Sequence, residues 1–149
     1  MLVFVCLLAC ARLPCLLRSE AGSWWYANAR LQVTILGIVI WTSESRKLYY
    51  TYCSNVLDQS TPFALTCLHD ALRRAESDGA ALGVKQVMFA DCGGHFRSCR
   101  FLSDQLICSL QTRPELQESA VHFFAEGHGK GPCDAHFGRM TRYLVMFIA

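Results

Sequence analysis

Apolar positions along the chain fall into short runs parted by glycine, proline and small polar residues. Leu31 to Trp41 (LQVTILGIVIW) is β-branched and almost continuous in its hydrophobicity, which predicts a buried strand. Thr42-Ser43-Glu44-Ser45 is turn material, and Lys47 to Ser54 (KLYYTYCS) predicts a second strand, so the two make a hairpin. Thr61-Pro62 opens a helix, with Thr61 as N-cap and Pro62 at the first helical position. That helix runs from Phe63 to about Glu76, with Phe63, Cys67, Ala71 and Arg74 on one stripe and Ala64, Leu68 and Leu72 beside it. Ser77-Asp78-Gly79 ends it.

Val84 to Ala90 (VKQVMFA) predicts a short strand that delivers Asp91 at its end. Gly93-Gly94 breaks the chain, and a helix is expected from Phe96 to about Leu110, with Phe96, Cys99, Ser103, Leu106 and Leu110 on its inner side. Gln111 to Ser119 is a polar loop, Ala120 to Phe124 a strand, and Gly127 to Gly131 a glycine-rich loop. Pro132 then opens a last helix through roughly Met146. Strands alternating with helices in this way predict an α/β domain whose antiparallel hairpin joins a set of parallel strands.

The first thirty residues stand apart. Residues 2–10 form an apolar run followed by small residues at Ala21, Gly22 and Ser23, as in a secretory signal. No Lys or Arg precedes the run, whereas Arg12 and Arg18 follow it, and a bilayer span needs about 20 apolar residues. A buried strand or helix, or a segment not native to the domain, fits as well. The expected division is therefore an apolar segment over 1–30 and one folded domain over 31–146.

A chain of 149 residues that is 52% hydrophobic and 17% charged has the makings of a core and excludes a disordered chain. A formal charge of +2 excludes a protein held to nucleic acid by bulk charge, though not a local basic strip. Nine cysteines would suggest a disulfide framework in a secreted protein. The odd number, and the apolar surroundings of Cys53, Cys67 and Cys108, instead favour reduced thiols and a nuclear or cytoplasmic location. A secreted cysteine-rich protein is the alternative if residues 1–23 are a signal.

Two polar clusters follow predicted strands. Asp91-Cys92-Gly93-Gly94-His95-Phe96-Arg97 places a carboxylate where open α/β sheets bind ligands. The second, Glu126 to Arg139, gathers Glu126, His128, Lys130, Asp134 and His136 in one strand-loop-helix unit whose glycines allow close backbone approach. If the two strands are neighbours, Asp91 and Asp134 meet, and paired carboxylates are the hard-oxygen ligands that Mg²⁺ prefers. Two such ions could serve an in-line phosphoryl displacement. The plainer readings are helix capping for Asp91, a first-turn acid favoured by the helix dipole for Asp134, and a structural role for His122.

The stretch Asp-x-Gly-x-His-Phe after a strand, and then Phe-Phe-x-Glu-x-His-Gly-Lys-Gly-Pro-Cys-Asp-x-His-Phe-Gly, resembles the second half of a DDE-type transposase or integrase catalytic domain. It is most similar to eukaryotic transposase-like proteins with an HGKGPCD signature, and the resemblance covers roughly Leu31 to Tyr143. It implies a ribonuclease H-like fold: a three-strand meander, a helix, a strand with the second acid, a helix, a strand, and a helix bearing the third acid. It implies Asp91 and Asp134 as the second and third acids, holding Mg²⁺ or Mn²⁺ for cleavage and joining of DNA. His128, Lys130 and Arg139 are then candidates to contact DNA phosphate, and no membrane partner is expected. The family's first acid lies on the first strand, and no Asp or Glu occurs within Leu31 to Trp41 or residues 2–10. The expectation is thus a decayed domain, incomplete at its N-terminus, with MLVFVCLLAC in the place of the first strand and no activity alone. The runner-up is a non-catalytic interaction or nucleic-acid-binding module. A structural zinc site from Cys92, His95, Cys99, His128, Cys133 and His136 is a further alternative, although Cys-x2-His-x3-Cys is not a finger spacing.

Overall fold

A computed structural model describes residues 2–12, 32–54, 60–124, 132 and 135–139. Its strands are β1 (Leu2–Arg12), β2 (Gln32–Trp41), β3 (Lys47–Ser54), β4 (Lys85–Ala90) and β5 (Glu118–Phe123). Helix α1 (Thr61–Ser77) joins β3 to β4. Between β4 and β5 one helical rod runs through α2 (Cys99–Ser103), a π-turn (Asp104–Cys108) and α3 (Ser109–Thr112). Residues 135–139 are helical. Among the described residues no helix is long and apolar enough to cross a membrane.

The five strands make one mixed sheet in the order β3-β2-β1-β4-β5. β1 is antiparallel to β2 and β2 to β3, whereas β4 runs parallel to β1 and β5 parallel to β4. The apolar N-terminal run is therefore the central strand of the sheet. The division near residue 30 does not separate residues 2–12 from the rest: Val5 is the register partner of both Ile38 and Ala90.

The near-continuous hydrophobicity of β2 is explained by cover on both faces, since every residue from Thr34 to Ile40 except Gly37 is assigned a side chain in the buried interior. Leu36, Ile38 and Ile40 join Met88, Ala90 and the buried stripe of α1 (Ala64, Leu65, Cys67, Leu68, Ala71, Leu72, Ala75) in the main core, with Phe96 and Phe101 from the following loop and helix. On the opposite face, Phe137 is buried with its ring against Gly37. Only the absence of a side chain there admits the ring.

Two helix starts differ from the sequence expectation. Ser60, not Thr61, caps α1, accepting from the Phe63 amide at 3.4 Å. The second rod begins at Cys99 with Ser98 as its cap, not at Phe96. Its inner side differs too: Phe101 and Gln105 are buried, while Cys99, Ser103 and Leu106 are exposed. Gln105 is drawn inward by a buried partner, Gln86 on β4, whose Nε2 donates to Gln105 Oε1 at 3.2 Å. The residue added by the π-turn changes which side chains face the sheet.

Candidate functional site

Asp91 leaves the sheet directly after β4, next to its centre. The loop it enters is tied down on every side. The Phe124 amide donates to the Ala90 carbonyl (3.0 Å), and Cys92 Sγ donates to the Phe124 carbonyl (2.6 Å), so the ends of β4 and β5 are stitched together. The amides of Phe96 and Arg97 both donate to the Gly93 carbonyl. Thr61 Oγ1 donates to the His95 carbonyl (2.9 Å), and Ser98 Oγ lies 2.9 Å from Thr61 Oγ1 and 3.1 Å from that carbonyl. The hydroxyl expected to cap α1 thus binds the start of α1 to the Asp91 loop.

Within this frame Asp91 Oδ1 accepts from the Gly93 amide at 2.8 Å and lies 4.0 Å from His95 Nε2. The His95 ring is largely buried, edge-on to Phe96 with centroids 4.2 Å apart. Nε2 is buried without a hydrogen-bond partner. Burial holds the imidazole below its ordinary pKa, with the Asp91 charge acting in the opposite sense. The two side chains converge over Gly93: a Cβ there would stand 2.9 Å from both Asp91 Oδ1 and His95 Nε2 and would meet the ring. A carboxylate oxygen and the Cε1 edge of the imidazole thus close on a space that only glycine leaves open.

The other sequence candidates are distributed as follows. Asp134, His128, Lys130, Glu126 and Cys133 lie outside the described residues, and with them the Asp91–Asp134 pairing. Arg139 is exposed on the helical segment. His136 hydrogen-bonds Thr51 of β3 at 2.8 Å and stacks obliquely on Tyr49, at the edge of the sheet away from β5. Burial, with Arg139 nearby, lowers its pKa. Cys99 is exposed. Among the described residues no group of three or more His, Cys, Asp or Glu could hold a metal, and His128 and Cys133 of the zinc alternative lie outside them. Cys53, Cys67, Cys92, Cys99 and Cys108 are free thiols. His122 stacks on Phe89 with centroids 5.2 Å apart, as a structural histidine would.

Neighbours of Asp91 that carried no site role in the sequence shape the loop. Thr61 and Ser98 hold its backbone, and Arg97 lies with its guanidinium 5.8 Å from the Phe123 ring centroid at the adjoining strand end. The signal available for His95 was its spacing, Asp-x3-His, directly after a strand.

No family model matches the chain, and neither a curated protein nor a solved structure does.

Proposed function

We propose that this chain is a ribonuclease H-like domain descended from a DDE-type transposase, whose ancestral role was metal-dependent cleavage and joining of DNA and which is inactive alone. The observation that carries the reading is positional. A three-strand meander, a helix, a strand closing on an acid, a helical rod, a strand and a further helical segment follow one another as the resemblance implies. The acid, Asp91, stands beyond the strand paired in parallel with the central one.

Asp91, as the second acid of the ancestral set, would hold the divalent ion, with His95 beside it and Asp134 as the third acid. The bound ion would supply charge stabilisation for a displacement at phosphorus. Gly93 keeps the space open, Cys92 and Thr61 fix the loop, and Arg97 and Arg139, with His128 and Lys130, are the cations offered to a DNA backbone. Inactivity follows from β1. Val5 is in register with Ala90, so the next residues on the two parallel strands are Cys6 and Asp91. The place of the first acid is thus taken by a strand without Asp or Glu.

Divalent-cation binding tests the reading, with Mn²⁺ affinity read from proton relaxation of water. Asp91→Asn is expected to weaken Mn²⁺ at least about tenfold, on the scale seen when metal-site residues are removed. Gly93→Ala should weaken it and also lower stability in urea, since the added Cβ meets the His95 ring. Cys6→Asp should strengthen it and bring out nicking of supercoiled DNA that the parent chain lacks. An Asp91→Asn chain that binds Mn²⁺ as the parent does overturns the proposal.

A further inference from the structure

A groove lies between the helices, beyond the Thr61 and Ser98 anchors of the Asp91 loop. Pro62, Leu65, Thr66 and His69, one stripe of α1, face Arg100, Ser103, Asp104 and Cys108 of the second rod across an open groove of about 410 Å³. That volume is in the range of pockets that take small ligands, which run from about 300 to 1,000 Å³.

The groove is built rather than incidental. His69 Nε2 lies 2.8 Å from Asp104 Oδ2, and Gln105 Nε2 donates to the same oxygen at 2.6 Å. Gln105, buried at 1% exposure, is held in turn by Gln86, and Arg113 Nη1 donates to Gln86 Oε1 at 2.9 Å. The Gln105 carbonyl takes hydroxyl hydrogens from Ser109 and, across from β5, from Ser119 (2.7 Å). This polar chain leaves Arg113 Nη2 buried without a partner at one end and holds the His69 imidazole at the groove at the other. It also occupies the π-turn, a helical irregularity found often at functional sites.

The charge balance names the ligand. Asp104 sits four residues after Arg100, the spacing at which a carboxylate would neutralise it, but Asp104 is committed to His69 and Gln105. Arg100 has no ion-pair partner among the described residues. Ser103 adds a hydroxyl one turn along. The Asp104 carboxylate holds the His69 ring at the groove through Nε2 (2.8 Å). A forked guanidinium with a hydroxyl beside it suits an anion with several terminal oxygens, and Pro62, Leu65 and Cys108 offer an apolar wall for what it carries. We propose that the α1–α2 groove binds a small organic phosphate monoester, with Arg100 as the anion anchor, Ser103 as the second donor and His69, held by Asp104, forming the wall beside them. This does not depend on the transposase reading.

The full chain is titrated with phenyl phosphate and followed by amide NMR shifts, with inorganic phosphate and a short single-stranded oligonucleotide as parallel arms. Saturable shifts should centre on Arg100, Ser103 and Asp104, and phenyl phosphate should bind more tightly than inorganic phosphate. Arg100→Gln should weaken it at least about tenfold, the loss expected for one charge-assisted hydrogen bond, and Arg100→Lys should restore part of it. His69→Gln should weaken it severalfold. Arg100 and His69 are exposed, so these changes leave the fold intact, which thermal unfolding verifies. The proposal is overturned if phenyl phosphate gives no saturable shift at millimolar concentration, if Arg100→Gln binds it as the parent does, or if only the oligonucleotide perturbs these residues.

Discussion

His95 shows how one buried side chain ties the Asp91 loop to the pH response of the whole domain. Its imidazole is held below the ordinary value of 6.5 by burial, only partly offset by Asp91. The folded protein therefore favours the neutral ring. Above pH 6.5 both folded and unfolded chains carry it neutral, and its contribution to stability is complete. As pH falls below that point the unfolded chain takes up a proton first, and stability drains away until the folded form titrates too. Melting temperature measured from pH 7.5 to 5 should fall for the parent and fall less for His95→Gln. Some slope should remain, since His136 is shifted in the same direction by burial and by Arg139. Equal slopes in parent and variant would show that the ring is not buried as described. Asp70, lowered chiefly by its hydrogen bonds to Arg73 and Tyr52, contributes only in more acid solution, because a depressed carboxylate loses its stabilising effect as pH falls through its own range.

At the scale of elements, the contact between β2 and the helical segment 135–139 can be tested through one hydrogen atom. A Cβ on Gly37 would collide with the Phe137 ring, with ring carbons at 3.0 and 3.1 Å and one nearer still. Gly37→Ala is expected to cost about 1 to 3 kcal/mol in urea unfolding, the usual range for overpacking a filled site. Phe137→Leu in the same chain should return part of that loss, a coupling that two independent sites would not show. Additive effects would separate the segment from the sheet. This contact also marks where reading from sequence failed and why. The runs that became β2, β3, α1 and β4 were legible because each has one period and its own turn chemistry at both ends. The second helical rod was not. Its start was misplaced by three residues because Phe96 is apolar yet sits in a turn, with Ser98 as the cap. Its inner face was misassigned because a buried glutamine pair, invisible to a hydrophobic count, replaces part of the apolar stripe. In the same way Asp91 was legible as a strand-end acid, whereas the convergence of Asp91 and His95 over Gly93 depends on a turn that no periodicity reports.

For the molecule as a whole, the arrangement rests on β1. The hairpin and the parallel pair share no edge of their own: β2 and β4 are joined only through Leu2–Arg12. A strand in that position must offer backbone groups to neighbours on both sides, so it tolerates proline less than an edge strand does. Val5 is the decisive position, paired with Ile38 on one side and Ala90 on the other, one step before the register of Asp91. Val5→Pro removes a ladder donor from a central strand, where proline is essentially not found. Against a total stability of about 5 to 15 kcal/mol, loss of that donor at the sheet's centre should leave the chain largely unfolded at 25 °C. Far-UV circular dichroism and one-dimensional NMR would register it, as lost strand signal and collapsed dispersion. Were residues 2–12 a leader lying outside the fold, the same substitution would leave both spectra unchanged, and the sheet would have to close by pairing β2 directly with β4.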